Sequence, residues 1–83
     1  MDIKQFDNIF KPLLWEKNIP FYALQGGRVC VNLSNGGEVD IDFDGKMTIY
    51  QCEDYCPYYL HKESYEEVIT ELESLLEESK GWT

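Results

Sequence analysis

Basic residues are scarce in this sequence. Seven Lys and Arg stand against 16 Asp and Glu, a net charge of −9 over 83 residues. A chain this acidic is a poor binder of nucleic acid or of an anionic membrane. Long apolar runs are missing too: none approaches the ~18 residues that a membrane span needs. Met1-Asp2-Ile3-Lys4 opens without the apolar stretch of a signal peptide, so a cytoplasmic protein is expected. Cysteine is limited to Cys30, Cys52 and Cys56. An odd number points to reduced thiols rather than a disulfide framework. No G-x-G-x-x-G and no P-loop occurs, so no cofactor is expected. The length allows one small acidic domain, 1–83, that hides only about 60–65% of its unfolded surface.

The negative charge belongs to the second half. Residues 1–37 carry Asp2, Asp7 and Glu16 against Lys4, Lys11, Lys17 and Arg28, a net +1. Residues 38–83 hold 13 acids against Lys46, Lys62 and Lys80, a net −10. Such asymmetry points to a charged partner, or simply to solubility.

Apolar spacing and turn chemistry give the elements. Asp2 with Gln5 is a capping box, followed by Ile3, Phe6, Ile9/Phe10, Leu13 and Leu14 at helical spacing. Pro12 predicts a kink or a break near Asn8–Lys11, and Asn18 suits a left-handed helix stop. Four strands follow: Ile19–Gln25, Arg28–Ser34, Glu38–Asp42 and Lys46–Cys52, divided by Gly26-Gly27, Asn35-Gly36-Gly37 and Asp44-Gly45. Three-residue bulge loops would pair Leu33 with Val39 and Val31 with Ile41, then Ile41 with Met47 and Val39 with Ile49. In the first hairpin either Phe21 and Ala23 or Tyr22 and Leu24 face the core. Residues 53–63 have no period and read as a loop. Ser64 with Glu67 opens an amphipathic helix, Tyr65–Ser79, with the stripe Val68, Ile69, Leu72, Leu75 and Leu76. The expected fold class is α+β: α-β-β-β-β-α, a four-stranded antiparallel meander with two helices packed on one face.

Three features could carry function. The first is acidic. Glu38, Asp40 and Asp42 alternate with Val39 and Ile41, and Asp44 follows in the turn; carboxylates about 7 Å apart along one strand face resemble the regular charge of a nucleic-acid backbone. Lys46 would offset Asp42. Glu53 and Asp54 continue the acidity, and so do Glu63, Glu66, Glu67, Glu71, Glu73, Glu77 and Glu78, which have no base between Lys62 and Lys80. The plain alternative is a solvated surface. The second feature is aromatic: Tyr50, Tyr55, Tyr58, Tyr59 and Tyr65 fall close together, and tyrosine is enriched at recognition surfaces. Tyr50 and Tyr65 fit sealing roles, whereas Tyr58 and Tyr59 beside Pro57 suit an exposed binding loop. The third is Cys52-x3-Cys56-x4-His61 with Cys30 upstream. Its spacing fits zinc only loosely, so no metal is expected, and no partner that would activate a Cys56/His61 pair is identifiable.

Small size, strong acidity and no catalytic motif together resemble phage-encoded inhibitors that mimic DNA, including anti-restriction and anti-CRISPR proteins. The likeness is one of composition and implies no particular residue. The sequence therefore predicts a viral or cellular inhibitor, not an enzyme, that occludes a basic site on a larger nucleic-acid-binding protein. Its expected contact residues are Glu38, Asp40, Asp42, Asp44, Glu53, Asp54, Tyr55, Tyr58 and Tyr59. The alternative is a small structural or regulatory subunit, or an immunity-type protein, that binds through an aromatic and apolar surface.

Overall fold

Asp2 caps the first helical segment as the capping box predicts: its Oδ1 accepts the Gln5 N–H at 2.8 Å. The structure, a computed structural model, describes residues 2–34, 36–50 and 57–80. The helical segment runs without a break over residues 3–16, as α-helical Ile3–Gln5, π-helical Phe6–Phe10 and α-helical Lys11–Glu16. The wide turn answers Pro12, which has no N–H to donate and whose ring crowds the carbonyl four residues back. The Lys11 N–H reaches Phe6 O, five residues back, so the chain widens just ahead of the proline. Phe6, Phe10 and Leu14 are fully buried, while Ile3 and Ile9 stay exposed. Asn18 adopts the left-handed conformation (φ 58°). The Asn18 N–H donates to Trp15 O at 3.1 Å and the Ile19 N–H to Leu14 O at 2.9 Å, a Schellman pair closed by buried Leu14 and Ile19.

Five strands follow, one more than the turn signals predict: β1 (Tyr22–Leu24), β2 (Arg28–Asn32), β3 (Glu38–Asp42), β4 (Lys46–Tyr50) and β5 (Tyr58–His61). They form one antiparallel sheet in the order β1-β2-β3-β4-β5. β1 is shorter than expected because Ile19 serves the helix stop and Pro20 has no N–H for a ladder. β5 replaces part of the expected loop. Its four residues alternate Tyr, Tyr, Leu, His, a pattern too short and too amphipathic to show a period.

Turn geometry sets the register. In the β2–β3 hairpin the Leu33 N–H donates to Gly37 O at 2.8 Å and the Gly36 N–H to Leu33 O at 3.2 Å, with Gly36 at φ +91°. The bulge glycine is therefore Gly36, not Gly37. The pairs are Val31 with Val39 and Val29 with Ile41, two residues from the expected register. An even shift keeps every side chain on its face, so the core prediction survives it. The β3–β4 hairpin has the expected register, Val39 with Ile49 and Ile41 with Met47, and Gly45 (φ +91°) donates to Asp42 O at 3.0 Å. At the far edge the Lys62 N–H donates to Gly45 O at 3.0 Å. That bond fixes the ladder phase: Tyr58 and Leu60 bond toward β4, and the backbones of Tyr59 and His61 turn to the open edge. Pro57, just before the strand, has no N–H to offer.

The C-terminal helix, Tyr65–Lys80, opens with the Glu67 N–H donating to Ser64 Oγ at 3.2 Å. Both helices cover one face of the sheet. Fully buried Val29, Val39, Ile41, Met47 and Ile49 meet Phe6, Phe10, Leu14, Val68 and Leu72. Tyr65 joins the layers. Its ring lies 5.2 Å from Phe10 and 6.1 Å from Phe6, and its hydroxyl donates to Phe43 O at 3.1 Å, with Asp2 O at 3.4 Å. At the other end Ser79, also buried, accepts the Ser34 N–H at 3.1 Å and donates to Leu76 O.

Ile41→Ala or Leu72→Ala is expected to cost about 2–5 kcal/mol, a large share of the ~5–15 kcal/mol that holds such a domain. Wild-type melting of either variant would contradict this packing. Tyr65→Phe keeps the rings and loses one hydrogen bond, worth about 1 kcal/mol. Burial, with Asp2 and Asp7 nearby, pushes the Tyr65 hydroxyl above its usual pKa of 10.0. Its protonated form is the one the fold favours. That contribution is complete below the unfolded pKa and is lost as pH rises through the raised folded value. Denaturant melts from pH 8 upward should therefore show the wild-type advantage over Tyr65→Phe shrinking at the alkaline end.

Candidate functional site

Among the described residues no helix covers the second face of the sheet, and the ladder arranges its side chains in rows. One row crosses all five strands: Tyr22, Cys30, Asp40, Thr48 and Tyr59. Beside it Leu24, Arg28 and Asp42 line up on β1, β2 and β3, and Lys46 with His61 on β4 and β5. On the other side lie Asn32, Glu38 and Tyr50. The first hairpin thus places Tyr22 and Leu24 outward and leaves Phe21 to pack against the core.

The expected carboxylate row exists. Glu38, Asp40 and Asp42 lie outward on the middle strand of the sheet, and Asp40 and Asp42 are half-buried among their neighbours. Their partners differ from expectation. Arg28 Nε, not Lys46, neutralises Asp42, at 2.8 Å from its Oδ1. Lys46 instead lies 5.3 Å from the centre of the Tyr59 ring. Cys30, 8% exposed, donates its thiol to Glu38 Oε2 at 3.3 Å. Burial first, then the hydrogen bonds and negative charges of Glu38 and Asp40, push this thiol up to about 12. It is protonated at neutral pH and is not a nucleophile of the activated kind. Cys30, Glu38 and Asp40 present ligand atoms within 4.8 Å of one another and are the described residues that could together meet a cation.

The other expected contact residues scatter. Asp44 is exposed in the β3–β4 turn, where its carboxylate accepts the Lys46 N–H at 3.1 Å. Tyr58 and Tyr59 occupy a strand, not a loop, so they point to opposite faces. Tyr59 is 61% exposed on the open face, and Tyr58 stands at the rim of the core face. Glu53, Asp54 and Tyr55, with Cys52 and Cys56, lie outside the described residues. Residue parity could have added Arg28 and Tyr22 to the site. The two-residue register error hid the first, by setting Arg28 opposite Asp44, and the open choice of face for β1 hid the second.

The C-terminal helix turns its acids away from this face. Its buried stripe of Tyr65, Val68, Ile69, Leu72 and Leu75 lies on the core, so Glu66, Glu67, Glu73, Glu77 and Glu78 are exposed on the far side of the molecule. Lys80 stands 4.0 Å from Glu77. Among the described residues no helix is long and apolar enough to cross a membrane. The chain matches no family model, no curated protein and no solved structure at a significant level.

The raised thiol gives a direct test. A shift from 9.0 to about 12 lowers the thiolate fraction near pH 8 by about a thousandfold. Alkylation of Cys30 in the folded protein, read by mass spectrometry of its peptide, should be slower than that of a free thiol by about tenfold or more, since the higher nucleophilicity of a high-pKa thiolate offsets part of the lost fraction. Glu38→Gln with Asp40→Asn should speed it severalfold. Alkylation at the free-thiol rate would contradict the burial and bonding of Cys30.

Proposed function

We propose that the protein is a non-enzymatic binding protein that occludes a basic site on a larger nucleic-acid-binding protein, with the uncovered sheet face as its contact surface. One observation carries this reading: Glu38, Asp40 and Asp42 stand on the middle strand of that face, between Tyr22 and Tyr59, which are 63% and 61% exposed at its two edges. The carboxylates would take the Lys and Arg side chains that otherwise hold phosphates, and the tyrosines would supply desolvated contact area. The outward glutamates of the C-terminal helix cannot touch the same partner surface. Their role is to add to the long-range field that steers encounter. The compositional resemblance to phage-encoded DNA mimics supports this reading and would place the protein in the cytoplasm of a bacterial host.

The second reading, a regulatory subunit or immunity-type protein with an apolar interface, is favoured by a different observation. Arg28 neutralises Asp42, and large apolar side chains, including Trp15 at 74%, are exposed outside the carboxylate row.

Affinity capture from host extract, with the retained protein identified by mass spectrometry, supplies the partner for the decisive measurement. Asp40→Asn with Asp42→Asn removes two negative charges from the open face and frees Arg28. Association should slow by about tenfold at low salt and much less at high salt. Glu73→Gln with Glu78→Gln changes net charge equally on the opposite side and should slow it far less. Equal slowing by both pairs would assign the effect to overall charge rather than to this face. Unchanged rates for the strand pair, with a large loss from Tyr59→Ala, would replace the first reading by the second.

A further inference from the structure

The two edges of the sheet differ. The Phe43 N–H donates to Gly27 O at 2.8 Å, and the Leu33 N–H to Gly37 O at 2.8 Å. Both bonds lie in the β2–β3 register. Odd-numbered residues of β2 therefore bond toward β3, and Arg28 and Cys30 bond toward β1. Their β1 partners are Leu24 and Tyr22. The backbones of Phe21 and Ala23 are left facing the open edge. Among the described residues no hydrogen bond engages either one, and Ala23 is exposed. No Lys, Arg, Asp or Glu occurs from residue 18 to residue 27, so the charges that usually blunt an edge strand are missing. Large apolar side chains surround this edge: Tyr22 and Leu24 on the open face, 63% and 42% exposed, and Trp15, 74% exposed, set edge-on against Phe21 at 5.8 Å.

We propose that β1 pairs with β1 of a second copy of this chain, antiparallel about a two-fold axis at Tyr22, to join the two sheets into one. The strand is complementary to itself in this register. Phe21 and Ala23 of one copy would exchange backbone hydrogen bonds with Ala23 and Phe21 of the other. Each large ring on the core side would then lie beside a methyl group, over the cleft lined by Trp15, Asn18, Ile19, Pro20 and Phe21. On the open face Tyr22 would meet Tyr22, and Leu24 would meet Pro20. No like charges would be opposed. Net repulsion between two chains of −9 argues against self-association in general, but β1 itself carries no charge, and the strand carboxylates begin two strands in, on β3. The one in line with Leu24, Asp42, is answered by Arg28 on the strand between. An isologous contact of this kind is the commonest way for a small protein to dimerise. The interface is short, so the dimer constant should fall in the micromolar to submillimolar range.

Sedimentation and light scattering on the purified chain, from about 1 µM to 1 mM, test the pairing without any partner, so its failure is separable from that of the carboxylate reading. A monomer–dimer equilibrium is expected, with the Ala23 amide exchanging more slowly as concentration rises. Ala23→Pro removes an N–H that no intrachain bond uses. Tyr22→Lys would set two cations against each other across the axis. Each should weaken the dimer about tenfold or more, with thermal melting of the dilute protein unchanged. Tyr59→Lys, on the opposite edge, should leave it intact. A monomer throughout that range overturns the proposal, and so does a dimer that survives both β1 variants or is lost with Tyr59→Lys. A β1 variant that fails to fold is replaced by the amide-exchange measurement on wild type, where a concentration-independent rate at Ala23 likewise overturns it.

Discussion

One side chain, Tyr65, holds the layers of this molecule in place. It starts the C-terminal helix, packs its ring at a tilt against the two buried phenylalanines of the N-terminal segment, and donates its hydroxyl to the carbonyl of Phe43 at the β3–β4 turn. The helices, which are far apart in sequence, are therefore tied to each other and to the sheet by one side chain within the wider core. A tyrosine suits that place because its body is apolar and its tip is a donor. Ser79 plays the smaller, matching part at the other end of the same helix, where it fixes the β2–β3 loop. Pinned at both ends, the helix leaves the sheet only one face on which to meet anything else.

That constraint divides the acidity. Read along the sequence, residues 38–83 form one negative half. In three dimensions the strand carboxylates and the helix glutamates look in opposite directions. On the open face the charge is also partly answered, because Arg28 reaches Asp42 and Cys30 donates to Glu38. The open face presents a few directed acceptors framed by tyrosine rings, while the exposed glutamates of the C-terminal helix face the other way. Under the function proposed above, specific contact and long-range attraction would fall to different layers of one small protein.

How much of this was legible in the sequence depended on how local the signal was. The capping residues Asp2 and Ser64, the left-handed Asn18, the alternation of Glu38–Asp42 and the stripe through Leu72 each rest on a few neighbouring residues, and each was readable. Asn35-Gly36-Gly37 named the loop class but offered two glycines for one left-handed position, and the chain uses Gly36. Pairing therefore slipped by two while faces stayed correct, and the Arg28–Asp42 contact was hidden by that slip alone. Pro12 marked the right place: of the kink or break it predicts, the break is absent and a wider helical turn stands over Phe6–Phe10. β5 escaped because tyrosine serves a buried or an exposed face equally well, so Tyr58-Tyr59 carries no parity.

Pro57, just before β5, bears on how large an assembly could grow. A sheet with two receptive edges has no natural stopping point, since each added copy exposes a fresh edge like the one just covered, and the product is a filament. Here Pro57, which has no proton to give, stands just before the edge strand β5. Under the β1 pairing proposed above, the edges left at the two ends of the joined sheet would both be β5. A proline beside each disfavours the further pairing that would turn a dimer into a filament.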